Sequence, residues 1–357
     1  MPEFSVTGFD QEHFKRTEEY VKKIKRIYKS AIKEATRLGM SVKYDPKKPF
    51  DFSKFPTIKK KIDKLMKEVA DKMQDVILEG VDAEWEFAND KNDDFVNSII
   101  KTDNMPGRAM SRLFGRNKEG LDAFKVRKSN GLNLSDRIWN QTKQFKSEME
   151  LALEVGIGEG TSAKEIAEQL EQYLENPDKL FRRVRDKENG MLRLSKHAQA
   201  YNPGRGVYRS SFKNAQRVAR TEINGSYRRS DNERWQKLDF VVGFEIKRSQ
   251  NKTQCDICDS MIGVYPKTYV WAGNHANCRC FKVSILATSD EINQLELMML
   301  NGEDTSKYQS KRLVNKMPDG WRNWVTGNKD RLLRAKSLPY FLSENPGFYK
   351  DFKIVGK

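Results

Sequence analysis

All four cysteines of this chain lie between residues 255 and 280, and one of its three histidines lies among them. They form two groups, Cys255 with Cys258 and His275 with Cys278 and Cys280. Two such groups at this separation are how many proteins supply the four nitrogen and sulfur ligands of a tetrahedral zinc site. The segment therefore predicts a structural zinc ion, and we favour Cys255, Cys258, His275 and one or both of Cys278 and Cys280 as its ligands. A site of the four cysteines, with His275 not bound to the ion, stays open.

Other interpretations of these cysteines stay open: reduced thiols without a metal, disulfides in an extracellular particle, or a catalytic centre. The polar, acidic first residues do not resemble a signal peptide, so we expect a reducing cytoplasm, which disfavours disulfides. A hydrolytic zinc site needs an open coordination position and a nearby base. With His13, His197 and His275 as the only histidines, we expect no catalytic residue in this chain.

The chain is strongly basic, with a formal net charge of +16 from 66 Lys and Arg against 50 Asp and Glu. Such a charge favours a polyanionic partner, although lysines that only solvate long helices would give the same count. No apolar run approaches the length of a membrane span, so we expect no membrane partner. An apolar share of 37% indicates modest cores joined by solvated helices.

Apolar residues at helical spacing predict several helices, and two short segments alternate as strands do. We expect helices over 11–39, 57–85 and 208–238, and a further helix near 290–300. Two more are predicted with caps: one from Leu134 to the GIGEG turn, with Ser135 as its cap, and one from a Ser162–Glu165 capping box to Pro177. Strands are predicted over 239–249 and 278–286, and residues 86–130 as a surface excursion with one short helix. The predicted fold is α+β and mainly helical, with a small β module held by the Cys/His cluster.

The helix predicted over 208–238 carries most of the residues that we assign to contacts with nucleic acid or an acidic partner. They are Arg209, Lys213, Arg217, Arg228, Arg229 and Arg234. Glu222 lies on the apolar face of the same helix, where a buried carboxylate needs a partner.

Two features of one segment carry a family resemblance. The first is the ARTE sequence formed by Ala219, Arg220, Thr221 and Glu222. The second is the cysteine segment, matched at Cys255, Cys258, Gly263, Tyr265, Pro266, His275, Asn277, Cys278, Arg279 and Cys280. Together they resemble the phage head morphogenesis family, the minor head proteins similar to protein F of phage Mu. The resemblance covers about 130 to 285, and Ala276 departs from it where the family usually has proline.

The resemblance implies a minor structural protein of a tailed-phage head, located in the virion at the portal vertex and, during assembly, in the host cytoplasm. Its implied partners are the portal protein, the major capsid protein, or both, together with packaged double-stranded DNA. Residues 1–130 are then a helical extension that docks on portal or capsid. Residues 131–288 form the Mu F-like domain, with its metal module at 255–280, and residues 289–357 a tail of helices and loops.

Two other functions stay open on the sequence. One is an enzyme delivered with phage DNA, either ADP-ribosyltransferase-like or a nuclease. In the ADP-ribosyltransferase case the resemblance implies that Arg220 and Glu222 serve catalysis. However, no glycine-rich phosphate loop follows a strand, and we expect Glu222 to be a structural carboxylate held by an arginine or by backbone amides. A zinc-stabilised nucleic-acid-binding protein is the other alternative.

Overall fold

A computed structural model describes residues 6–45, 48–177, 183–185, 188–194, 199–203, 208–249 and 255–352. His197 lies outside the described residues, as does most of the turn predicted around 202–208. The helices are α1 (Val6–Met40), α2 (Pro56–Ile99), α3 (Gly107–Leu113), α4 (Lys118–Val126), α5 (Leu134–Gly158), α6 (Ala163–Glu175), α7 (Ser211–Lys237), α8 (Asp256–Ser260), α9 (Ser289–Leu300), α10 (Asp319–Gly327), α11 (Lys329–Arg334), α12 (Tyr340–Ser343) and α13 (Pro346–Tyr349).

The strands form two antiparallel sheets. Strands β1 (Arg183–Arg185) and β2 (Leu192–Leu194) pair with each other. In the second sheet, β3 (Val241–Lys247) lies between β4 (Gly263–Pro266) and β5 (Phe281–Leu286). The prediction of a mainly helical α+β fold is confirmed, and the two strands predicted on either side of the cysteine segment are neighbours. Strand β4, which lies inside that segment, was not predicted.

The chain divides into two compact units made of alternating segments. Unit 1 comprises Met1–Thr17, Glu79–Gly131 and Arg220–Lys357, and unit 2 comprises Glu18–Leu78 and Leu132–Ala219. Unit 1 thus draws on all three of the segments that we expected to have separate roles. Those separate roles stay a prediction.

Helix α2 continues well beyond its predicted end near residue 85. Its last turns carry Asn89, Lys91 and Asn92, which are polar and yet almost completely buried. Lys91 Nζ and Asn92 Nδ2 each donate to Asp231 of α7 at 2.8 Å, and the indole N–H of Trp235 donates to Asn92 Oδ1 at 2.8 Å. Because these buried polar groups are hydrogen-bonded, this part of the sequence, which has few apolar residues, still forms a helix with a buried face.

Hydrogen bonds of side chains fix where α5 and α6 begin. The predicted capping box of Ser162 and Glu165 is present at α6. At α5 the cap is Asn133 and not Ser135, because Asn133 and Asp136 exchange hydrogen bonds of 2.8 and 3.2 Å in a second capping box. An aspartate at the third position accepts as the glutamate of a typical box does.

The segments predicted to be irregular contain more ordered structure than expected. Residues 86–130 hold α3 and α4 in addition to the end of α2, where one short helix was predicted. The tail beyond residue 289 packs Trp321, Val325, Phe341 and Leu342 into the same core as residues of β3 and the cysteine segment. The tail is therefore part of the core of unit 1, because these four apolar residues are almost completely buried.

The buried pair of Lys91 and Asp231 yields a prediction. Replacing Asp231 by alanine removes the carboxylate that lies 2.8 Å from the buried Lys91 ammonium and leaves it the more distant Asp10, at 3.9 Å. The free energy of unfolding should therefore fall by about 3–5 kcal/mol. The matched control is Glu233→Ala on the same helix, which removes a half-buried i,i+4 pair with Arg229 and should cost under about 1 kcal/mol. Chemical denaturation of both variants measures the difference, and equal losses would contradict a special role of the buried pair.

Within unit 2, Glu150 of α5 is a half-buried carboxylate with a perturbed pKa. It accepts a hydrogen bond of 3.1 Å from the backbone N–H of Phe52, but burial raises its pKa from 4.5 to about 7. Between these two pH values the folded chain holds a proton that the unfolded chain has lost. The resulting stabilisation is complete below about pH 4.5 and disappears as the pH rises through 7.

Replacing Glu150 by glutamine should therefore flatten the pH dependence of stability, because the amide is neutral at every pH. Thermal unfolding at pH 5 and pH 8 measures this: we expect a smaller decrease in melting temperature for Glu150→Gln than for the unmodified chain. Glu168→Gln, on the exposed face of α6, should retain the original decrease. An unchanged decrease in Glu150→Gln would show that this carboxyl group does not titrate between these pH values.

Candidate metal centre

Short elements of unit 1 bring the two groups of ligand candidates together. Cys255 is the N-terminal cap residue of α8, and Cys258 lies one turn further within that helix. His275, Cys278 and Cys280 lie in the segment between β4 and β5, so that Cys280 immediately precedes β5. Because β4 and β5 are each antiparallel to β3, they run parallel to each other, and the segment that joins them passes from one end of the sheet to the other.

The five candidates form a Cys/His cluster at metal-binding distances. His275 Nε2 lies 3.2 Å from Cys255 Sγ and 3.1 Å from Cys258 Sγ, and the sulfurs of Cys258 and Cys278 are 3.8 Å apart. The ligand atoms of Cys255, Cys258 and His275 lie within 4.8 Å of one another, as do those of Cys258, Cys278 and Cys280. Two sulfurs on one tetrahedral zinc ion, each at about 2.3 Å, are about 3.8 Å apart.

Cys258 belongs to both triads. Hydrogen bonds from the thiols of Cys278 and Cys280 lower its pKa, and the same contact with Cys258 raises the pKa of Cys280. None of the four cysteines forms a disulfide, and the separation of 3.8 Å between the sulfurs of Cys258 and Cys278 exceeds the roughly 2.05 Å of a disulfide. Four sulfur donors and one nitrogen donor are the ligand types that a soft or borderline metal ion such as zinc prefers.

His275 is held with Nε2 toward the sulfurs. Its Nδ1 lies 2.8 Å from the carbonyl oxygen of Ala276 and donates to it, while the contact with Cys258 raises the pKa of His275 to about 9. A metal ion bound at Nε2 would leave the hydrogen bond from Nδ1 to orient the ring.

Sequence analysis missed two residues that orient the cluster, Trp271 and Asn274. The indole N–H of Trp271 donates to Asn274 Oδ1 at 2.7 Å, and Asn274 Nδ2 points to Cys258 Sγ at 3.7 Å. Both residues are buried. Their position just before His275 was the available signal, but an asparagine and a tryptophan are not metal ligands and so did not enter a search for ligand spacing.

The ARTE sequence lies on α7, which contacts the cysteine segment directly. The hydroxyl oxygen of Thr221 accepts the backbone N–H of Asn277 at 2.9 Å. Arg228, two turns further along α7, donates to the carbonyl oxygens of Cys278 and Cys280 at 2.8 and 2.7 Å. The two halves of the sequence pattern that carries the family resemblance are thus in contact through hydrogen bonds.

Glu222 is buried, and its carboxylate lies 2.9 Å from Arg127 Nη2. This is the arrangement expected of a structural carboxylate held by an arginine. Arg220 is half-buried beside it.

The six basic residues assigned to partner contacts do not share one surface. Arg209 is exposed, and Lys213, Arg217 and Arg229 are half-buried, with Arg217 stacked 5.0 Å from the ring centre of Tyr208 and Arg229 paired with Glu233 and Glu344.

Arg228 and Arg234, by contrast, lie in the interior of unit 1. Arg234 donates to Asp93 Oδ1 at 2.7 Å and to the carbonyl oxygens of Leu113 and Gly115. Their burial corrects the prediction that they contact a polyanion. A count of charges along a helix cannot tell which of them find carbonyl and carboxylate partners inside the protein.

Comparison of the chain with protein-family models, with curated proteins and with solved structures gave no match. Among the helices of the described ranges, none is both long enough and apolar enough to cross a lipid bilayer. The interpretation of the site therefore relies on its geometry and on the sequence resemblance.

Proposed function

We propose that this chain is a non-enzymatic structural protein of a tailed-phage head, and that its Cys/His cluster holds a structural zinc ion. It would act at the portal vertex in capsid assembly, in contact with the portal protein or the major capsid protein. The observation that carries the proposal is the contact of Thr221 and Arg228 with the cysteine segment. It gives the ARTE helix and the cysteine segment, which resemble the family only in combination, a joint structural role.

The donor set favours a structural over a catalytic ion. Two triads that share Cys258 offer five nitrogen and sulfur donors, which is more than the four that a closed tetrahedral zinc site needs. Cys258, Cys278 and Cys280 are buried, and no carboxylate belongs to either triad. Once bound, zinc would cross-link α8 to the segment that precedes β5.

The role of Glu222 also favours a structural protein. Its carboxylate is held by Arg127 inside unit 1, whereas a catalytic carboxylate must reach a substrate. Of the six basic residues assigned to contacts with DNA or an acidic partner, Arg209 is exposed, and Lys213, Arg217 and Arg229 are half-buried. Contacts of these residues with phosphates would weaken as salt concentration rises.

The zinc proposal is tested by metal analysis of protein purified without added chelator or zinc. We expect about one zinc ion per chain. Cys258→Ser should lose most of it, because Cys258 belongs to both triads. Asp256→Asn, an exposed substitution in the same short helix, is the control for zinc bound adventitiously to surface carboxylates and should keep its zinc. Trace zinc in the unmodified protein, or equal zinc in Cys258→Ser, would exclude the proposed site.

Mass spectrometry of purified, nuclease-treated particles of the phage that encodes this chain tests the proposed location. We expect the chain in the particles at few copies relative to the major capsid protein. Its presence in the infected-cell lysate together with its absence from particles would contradict a role as a head component.

A further inference from the structure

We propose that α7 holds residues 269–280, which we call the ligand segment, in their metal-binding conformation before any metal binds. Arg228 is the main positioning residue. This inference rests on the zinc site proposed above and adds how that site is maintained. It predicts that the metal-free protein stays folded around an already formed site.

Arg228 fixes the backbone of the ligand segment at three points. Its Nη2 donates to the carbonyl oxygens of Cys278 and Cys280 at 2.8 and 2.7 Å, and its Nη1 donates to the carbonyl oxygen of Ala272 at 3.2 Å. These carbonyls bracket the part of the chain that contains His275. A planar guanidinium can make such divergent hydrogen bonds at once, whereas a lysine ammonium on a flexible stem cannot reproduce their geometry.

The segment is shaped to receive this guanidinium. Its carbon lies 4.8 Å from the ring centre of Trp271, so that a cation–π contact adds to the hydrogen bonds. Gly273 adopts a φ of +124°, and a side-chain carbon there would lie 2.7 Å from Arg228 Nη1. The backbone therefore approaches Arg228 more closely than any residue with a side chain would permit.

Two further residues of α7 hold the same segment, one on each side of Arg228. Thr221 accepts the N–H of Asn277, whose backbone is left-handed with a φ of 61°. Asn232 donates to the carbonyl oxygen of Tyr269 at 2.9 Å and accepts the N–H of Trp271 at 3.3 Å. Arg228 and Asn232 follow Thr221 by about two and three helical turns, so all three residues lie on one face of α7.

These contacts need no metal ion. Arg228 is buried, and a buried guanidinium that lost its carbonyl partners would be left unsatisfied at a high cost in free energy. The ligand segment and α7 therefore hold each other in place. This distinguishes the site from small zinc modules, in which metal binding and folding are the same event.

The test is a competition titration of the metal-free full-length chain with zinc against a chromophoric chelator. Arg228→Lys keeps the charge but loses the geometry, and should weaken zinc binding by about 10- to 100-fold, as expected for residues that orient metal ligands. Arg234→Lys is the matched control: it disturbs an equally buried arginine of α7 that contacts Leu113, Gly115 and Asp93, and should retain the affinity of the unmodified chain.

Hydrogen exchange of the metal-free proteins gives a second readout, independent of metal. The amides of Asn277 and Cys278, which donate to Thr221 and to the carbonyl oxygen of His275, should exchange slowly in the unmodified chain and faster in Arg228→Lys. If Arg228→Lys fails to fold, Thr221→Val carries the test, because it removes the acceptor for the N–H of Asn277. Thr221→Ser keeps the hydroxyl group and should retain both zinc affinity and slow exchange.

Three results would overturn the inference. They are unchanged zinc affinity in Arg228→Lys, an equal loss of affinity in Arg234→Lys, or rapid exchange of the Asn277 and Cys278 amides in the metal-free unmodified chain. If the unmodified chain binds no zinc but exchanges slowly in this segment, the proposed zinc role fails while the holding of the segment by α7 is retained.

Discussion

The buried polar face of α7 is the constraint on which the rest of unit 1 depends. Ser226 and Ser230 donate to the carbonyl oxygens of Val81 and Trp85 in α2, and Asp231 accepts from Lys91 and Asn92 of the same helix. Each of these groups would be costly to bury alone. The contacts are therefore specific: α2 fits against α7 in the one register that satisfies them.

A second face of α7 also carries buried polar side chains, and these contact the cysteine segment. Arg228, Asn232 and Thr221 satisfy backbone groups of a segment that forms little regular secondary structure of its own. Lys282 at β5 adds a further link, because its buried ammonium donates to the carbonyl oxygen of Arg228 and to Asn232. A helix that could be mistaken for a basic surface element is thus an internal scaffold, with α2 and the candidate metal centre both attached to it.

Much of the fold could be predicted from the sequence where one local signal decides the structure. The capping box at Ser162, the β-branched and aromatic residues of β3 and the clustering of Cys255 with Cys258 are of this kind. What could not be predicted depends on partners distant in the chain. The last turns of α2 look like a polar loop until Asp231 and Trp235 are placed beside them. Arg228 and Arg234 likewise resemble surface charges until their carbonyl partners are known.

The same distinction holds at the candidate site. The five ligand candidates could be identified from the sequence by residue type alone, and the structure brings them together in two triads. Asn274, Trp271 and Arg228 act on the ligands through hydrogen bonds, a role that many residue types can fill, and spacing alone did not reveal it. The ARTE sequence lies on the helix that holds the ligand segment. Its threonine accepts a backbone N–H of the segment, and its glutamate pairs with Arg127.

The central claim is that the cluster around Cys258 is a metal site preformed on α7. X-ray absorption at the zinc edge of the zinc-loaded protein tests it most directly, since it reports the ligand atoms around the ion. The account predicts four ligands, at least three of them sulfur at about 2.3 Å, with nitrogen at about 2.0–2.1 Å if His275 binds. A shell of oxygen and nitrogen without sulfur would place the zinc elsewhere and contradict the account.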